Sequence, residues 1–282
     1  MKIQYENRVM SSLLLYMDHY ICKNGEAFSN KSSFFYPTEQ TYTNLFNYSS
    51  PFKQFISDDS VPNATVMKTA YVNSGGYKEF AVGTSGLSAI DHNNGLVQMS
   101  VGVAGNNPIS GNYSIKDFNI YLTNKPEEQI LFETKYHLRP DIPEDVTGLP
   151  PDTQTFPAIF VKSVNGENTP GYYGGTDLTN VGVRAIVLAD SAYDLDAVCS
   201  ILKDRNKTEI KLIEELLPFN AIGAYTGGSY NYTGLAASAS SGIFIDRVSI
   251  SKNVGGDYNS LNPNVYPAFV DFELNEFRKP RS

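Results

Sequence analysis

Apolar residues at three- and four-residue spacing open the chain. Val9, Met10, Leu13, Leu14, Met17, Tyr20 and Ile21 predict an amphipathic helix from about Glu6 to Cys22, with Asn24-Gly25 as its stop. Leu15 and Tyr16 widen the apolar arc beyond what one supporting surface needs, so a second cover is expected, and a neighbouring chain could provide it. From Ala27 to Pro62 the pattern breaks into aromatic patches without clean period: Phe34-Phe35-Tyr36-Pro37, Tyr42, Phe46, Tyr48, Phe52 and Phe55. This stretch reads as an extended arm or a long packed loop.

After Pro62 the period changes to two, with turn signals between the runs. Ala64 to Val72, the turn Asn73-Ser74-Gly75-Gly76, and Tyr77 to Val82 predict a hairpin. Tyr113 to Leu122 sets Phe118, Ile120 and Leu122 on one face and Asp117, Asn119 and Tyr121 on the other, and a further strand is predicted over Gln129 to Tyr136. Residues Arg139 to Phe156 are rich in Pro, Asp and Glu and read as a surface loop or a linker between two halves. Strands follow at Ala158 to Val164 and Val181 to Ala189. Ser191-Ala192-Tyr193-Asp194 then has the form of a capping box ahead of Leu195, Val198, Cys199 and Leu202, which predicts a short helix packed on a sheet. Lys207 to Leu217 leans towards strand, and Ala221 to Ser241, rich in Gly, Ser, Ala and Tyr, reads as an exposed ordered loop. Strands at Ile243 to Ile250 and Ala268 to Phe277 close the chain. The expected class is mainly β (β-sandwich-like, α+β), with residues 1–62 as helix and aromatic arm and 63–282 as a β-rich body, its two halves joined at 139–156.

Composition narrows the function. A formal charge of −8 repels phosphates, which argues against tight nucleic-acid binding. With 19 Tyr, 16 Phe and no Trp, the chain carries many rigid amphipathic rings, which suit either strands or contacts between proteins. Two cysteines, Cys22 and Cys199, make no disulfide framework. The start lacks the pattern of a secretory signal, and no apolar run is long enough to span a bilayer. Synthesis in a reducing cytoplasm is expected, without membrane association, and the Asn-x-Ser/Thr sequons are read as by-products of composition.

The search for chemistry returns weak patterns. His19, His92 and His137 share no close spacing. His19 and Cys22 lie three apart on one helix face, but two ligands do not make a zinc site, and a surface histidine beside a half-buried thiol is the plainer reading. Asp190 stands where open α/β sheets bind ligands, yet it or Ser191 is expected there as a helix cap, and no Gly-rich phosphate turn accompanies it. Asp194 and Asp196 diverge on a helix and suit its dipole. Gly83-Thr84-Ser85-Gly86 is a turn and not a nucleophile elbow. No catalytic, cofactor or metal residues are assigned, and the chain is not expected to be an enzyme.

Three stretches carry a resemblance: Asn7 to His19 running on to Phe34-Phe35-Tyr36-Pro37, Ser85 to His92 with Gly95 and Tyr113 to Asn119, and Asn262 to Leu274. In these the chain resembles an uncharacterised group of virion structural proteins from large tailed bacteriophages, especially those of marine hosts. The resemblance implies a particle subunit of the neck, head-tail connector or tail, located in the virion, with copies of itself and other virion proteins as partners. It supplies no functional residues. From the sequence itself, Leu13, Leu14, Tyr16, Met17, Phe34, Phe35, Tyr36, Tyr225, Tyr230 and Tyr232 are the expected interface residues of a homo-oligomeric ring. A second expectation, from another class, is a glycan- or host-binding β-sandwich of a fibre or adhesin; a third is a hydrolase with dispersed carboxylates.

Overall fold

The computed structural model describes residues 4–38, 45–52, 54–73, 76–84, 86–103, 108–130, 156–172, 175–213, 228–252 and 265–279. The apolar stripe at the start forms α1, Tyr5–Gly25. Its first turn is closed by Asn7 Oδ1, which accepts from the Gln4 N–H at 3.1 Å. It stops where Glu26 takes a left-handed conformation, φ 46°.

Two curled sheets follow, giving the mainly β, α+β class that the alternation predicts. The first contains β1 (Phe28–Pro37), β2 (Phe46–Ser49), β3 (Thr69–Asn73), β4 (Tyr77–Ala81), β5 (Leu87–Asp91), β6 (Leu96–Met99) and β7 (Ile109–Lys116), in the order β4-β3-β7-β1-β2-β6-β5. The second contains β8 (Asn119–Leu122), β9 (Ala158–Tyr172), β10 (Thr176–Ala189), β11 (Glu209–Leu212), β12 (Ser241–Ser251) and β13 (Tyr266–Arg278), in the order β11-β12-β13-β10-β9-β8. All its pairs are antiparallel except β8 with β9. Helices α2 (Ala192–Lys203) and α3 (Tyr232–Ser238) complete the labelled elements. The first sheet closes on its own core around Phe35, Phe55, Met67, Val97 and Tyr113. The second backs onto α1 and α2 through Val181, Val183, Ala185, Val187, Val270 and Phe272. Its opposite face is covered at one end by Ile130, Phe156 and Val265 against Ile186 and Leu188. Burial on both faces explains why Ala185 to Ala189 reads as an unbroken apolar run.

Several expectations are corrected. The stretch after Ala27 is no arm, because β1 pairs with β7 from Phe28 to Phe35, and β2 joins β1 to β6. Asn30, Lys31 and Ser32 of β1 are exposed, so main-chain bonds and not an apolar face hold this half of the strand, which removes the period-two signal. Tyr113 to Leu122 is two strands: the chain leaves one sheet after Lys116 and enters the other at Asn119. That switch, and not residue 62, is where the sheets divide; of the expected linker at 139–156, all but Phe156 lies outside the described residues. Of the strand expected over Gln129 to Tyr136, Gln129 and Ile130 belong to a helical turn, residues 127–130, and 131–136 lie outside the described residues. The hairpin of β9 and β10 runs past its predicted ends, since residues 165–170 are polar and exposed and rest on the ladder alone.

α1 receives its second cover from its own chain. It packs on α2, α3, β8, β9 and β11, Leu13 is 0% exposed and Met17 1%, and the Ile213 N–H donates to Ser12 Oγ at 2.9 Å. The far ends of the described chain also meet: Tyr5 donates its hydroxyl to Glu276, and the Arg278 guanidinium lies 3.8 Å over the Tyr5 ring. Each truncation in this layer removes a fully buried side chain. Leu13→Ala is expected to cost about 2–5 kcal/mol, and the double change Leu14→Ser with Met17→Ser more, read as a lowered melting temperature of the isolated subunit. Phe34→Ser, on the outer face, is expected to change stability by less than about 0.5 kcal/mol.

Candidate functional site

Adjacent residues on a helix point about 100° apart, and α1 uses this at Asp18 and His19 to reach two different elements. Asp18 Oδ1 accepts from Lys116 Nζ at 2.6 Å, at the end of β7, and its Oδ2 accepts from the Tyr230 hydroxyl at 2.9 Å. His19 Nδ1 lies 2.6 Å from Asp58 Oδ2. Asp58 belongs to a strap, residues 54–60, that runs between the two sheets. Its other oxygen accepts from the Ser60 N–H at 2.9 Å, the Ser60 hydroxyl at 2.6 Å and the Tyr232 N–H at 3.0 Å. The Tyr232 ring stacks on His19 with centroids 4.7 Å apart. Main-chain bonds complete the join, from Tyr230 N–H to Ser57 O and from Asp59 N–H to Tyr230 O.

Both pairs are buried, with side-chain exposures of 4% and 6% for Lys116 and Asp18 and 6% and 1% for His19 and Asp58. Burial alone pushes the Asp58 carboxyl up; hydrogen bonds from His19, from Ser60 and from the Tyr232 and Ser60 N–H groups outweigh it and hold the group below the usual carboxylate range. An ionised Asp58 only accepts, so His19 carries its proton on Nδ1. Burial raises the Tyr232 hydroxyl, with Tyr16 and Asp58 adding to the effect.

This set contains Ser, His and Asp, but not as a nucleophilic relay. A relay places the serine and the carboxylate on opposite ring nitrogens. Here Ser60 Oγ and Asp58 both lie on the Nδ1 side, Ser60 at 3.4 Å, and the serine donates to Asp58. Nor do His19 and Cys22 form half of a zinc site. His19 is buried, not on the surface as expected, and its Nδ1 is engaged by Asp58. Burial pushes the Cys22 thiol well up, so it stays protonated. Among the described residues no three His, Cys, Asp or Glu side chains are grouped to hold a metal ion. The arrangement is a clasp that fixes α1, the strap, β7 and the segment 228–232 to one another.

Of the expected interface residues, Leu13, Leu14, Tyr16 and Met17 lie in the core beneath α1, and Phe35 lies in the core of the first sheet. Tyr230 and Tyr232 are buried in the clasp, where an exposed loop was expected, because their hydroxyl and N–H groups find carboxylates inside. Tyr225 lies outside the described residues. Phe34 and Tyr36 are exposed on the outer face of β1. Asp190 is exposed beside the helix start, and Ser191 is the cap, its Oγ accepting from the Asp194 N–H at 3.1 Å. Asp58 and Lys116 were not singled out in the sequence. The local signal at Asp58 is an Asx turn onto Ser60; its helix partner is 39 residues away.

The open face of the second sheet carries a shallow depression of about 340 Å³, lined by Asn165, Glu167, Asn180, Gly182 and Glu273. At Gly182 the Asn165 amide oxygen occupies the place where a Cβ would stand. No protein-family model matches the chain, and none of the characterised proteins compared with it matches in sequence.

The clasp generates two expectations. A carboxylate held below its unfolded value contributes stability that is present above about pH 4 and is lost as pH falls through the lowered folded value. Asp58→Asn is therefore expected to lower stability at neutral pH and to flatten its decline on acidification, measured by denaturant unfolding from pH 7 to 3. Lys116→Met leaves Asp18 charged and buried and is expected to cost about 3–5 kcal/mol. Replacing Asp18 by Asn in that background is expected to recover part of the loss.

Proposed function

We propose that the chain is a structural subunit of a tailed-phage virion, in the neck, head-tail connector or a tail ring, and that it acts by assembly and not by catalysis. The observation that carries this reading is the distribution of large apolar side chains left in solvent. On the first sheet Phe34 is 47% exposed and Tyr77 54%. Phe34 faces Ser110, which Tyr71 faces from the other side, so aromatic groups flank a small residue across three strands. On the second sheet Phe277 is 65% exposed, and Phe244 and Val164 are also in solvent. Exposed apolar side chains on two different sheets offer the two unlike surfaces that a heterologous, ring-forming contact requires. Buried at a contact, each such side chain contributes about 1.5–3 kcal/mol. The sequence resemblance points the same way. A net charge of −8 suits a subunit lining a DNA passage, where repulsion lets the polymer slide.

Contacts are assigned to the sheet faces and not to α1, whose apolar side is spent inside. The alternative, a glycan- or host-binding module, has one observation in its favour: the depression at Gly182 offers amides and carboxylates able to hydrogen-bond hydroxyl groups. Glycan-array binding that disappears with Asn180→Ala and Glu273→Ala would support that use.

The assembly reading predicts that the purified chain forms defined oligomers by light scattering and negative-stain imaging. Phe34→Ser with Tyr36→Ser should weaken association by orders of magnitude while the melting temperature of the subunit stays within a few degrees. A chain missing from purified virions, or oligomers indifferent to the Phe34 and Tyr36 changes, would remove it.

A further inference from the structure

β12 is longer than the strand that covers it. β11 pairs with residues Ser241 to Phe244, and Lys207 and Thr208 extend the contact through the main chain of Ile245 at 2.9 and 2.8 Å. A bulge follows between Ile245 and Arg247. From Arg247 to Ser251 the strand pairs with β13 on one side and, among the described residues, with no strand on the other. Here, among the described residues, no strand meets the outward N–H and C=O groups, which is the template for an added strand.

The open edge borders a groove of about 560 Å³ between β12 and α2. Its floor includes Val248 and Ile250, alternate residues of the strand that pack on the core yet stay half-exposed. Ser200 and Ser251 line its walls, and Lys203 and Lys252 are exposed on its rim. Lys252 is held by Asp196 at 2.6 Å, whereas Lys203 makes no ion pair among the described residues. Two lysines beside an apolar strip stand out on a chain of net charge −8.

We propose that this edge is a docking site for an extended acidic segment of a partner protein. The segment adds as a strand beside residues 247–251, lays its apolar side chains over Val248 and Ile250, and sets carboxylates against Lys203 and Lys252. Main-chain bonds supply the affinity, and alternate side chains supply the choice of partner. A bulge and lysines also defend an edge against pairing, and the same experiment separates the two uses. The edge would take such a segment whether or not the chain is a virion subunit.

The test uses the full chain and two fluorescein-labelled synthetic octapeptides, one alternating Val with Glu and one alternating Val with Lys, followed by fluorescence polarisation. The Glu peptide is expected to bind, to weaken with added salt, and to bind about tenfold less well to the Lys203→Glu, Lys252→Glu variant, the size of loss that two exposed ion pairs carry. Both lysines are exposed, so the variant should melt with the parent chain. Hydrogen exchange on the unaltered chain should slow at amides 247–251 when the Glu peptide is present. Absence of binding, equal binding of the Lys peptide, or slowed exchange confined to another part of the chain would each overturn the proposal.

Discussion

The fold depends on the rule that a charge taken out of water must meet its partner. Asp18 and His19 are neighbours on one helix, and each has one permitted position, opposite Lys116 and Asp58 respectively. Lys116 is the last residue of the first sheet before the chain crosses to the second. Asp58 lies on the strap between them. Two buried polar pairs therefore index a helix from the core of one sheet against the last strand of the other. Removing one partner alone leaves a buried charge unpaired, whereas replacing both with apolar groups removes that cost.

Gln54 does similar work with a neutral group. Its side-chain amide accepts from the Ile120 N–H at 3.1 Å and donates to the Ile120 carbonyl at 3.3 Å, standing in for a neighbouring strand at the edge of β8. Its backbone has φ 49°, and its carbonyl accepts from the Lys116 N–H. One residue thus closes the edge of the second sheet and holds the end of the first. The strap lies off both ladders, bonding β7 through Gln54 and Ile56 and the segment 228–232 through Ser57 and Asp59.

How much of this could be read from the residues follows from the range of the forces involved. α1, α2 with its Ser191 cap, and the alternation of Val270, Phe272 and Leu274 in β13 are visible because helix and strand periods are local. The buried state of Tyr230 and Tyr232 was hidden by the glycines and serines around them, which describe a loop, while the groups that draw the tyrosines inside, Asp18 and Asp58, are 212 and 174 residues away. The wide apolar arc of α1 was legible, but its cover was not: a second chain and a second layer of the same chain leave the same pattern. β1 was missed because its ladder bonds carry no side-chain signature.

The meeting of Tyr5 with Glu276 and Arg278 has a consequence for the order of events in synthesis. The two hydrogen-bonded residues are 271 positions apart, and at about 5–20 residues per second the ribosome needs roughly 14–54 s to travel between them. Of the described elements, α1 is thus made first and its opening turn is finished last. Its oily side finds its seat step by step as β8, β9, α2 and β11 are released, while the turn that carries Tyr5 stays unfastened until β13 arrives.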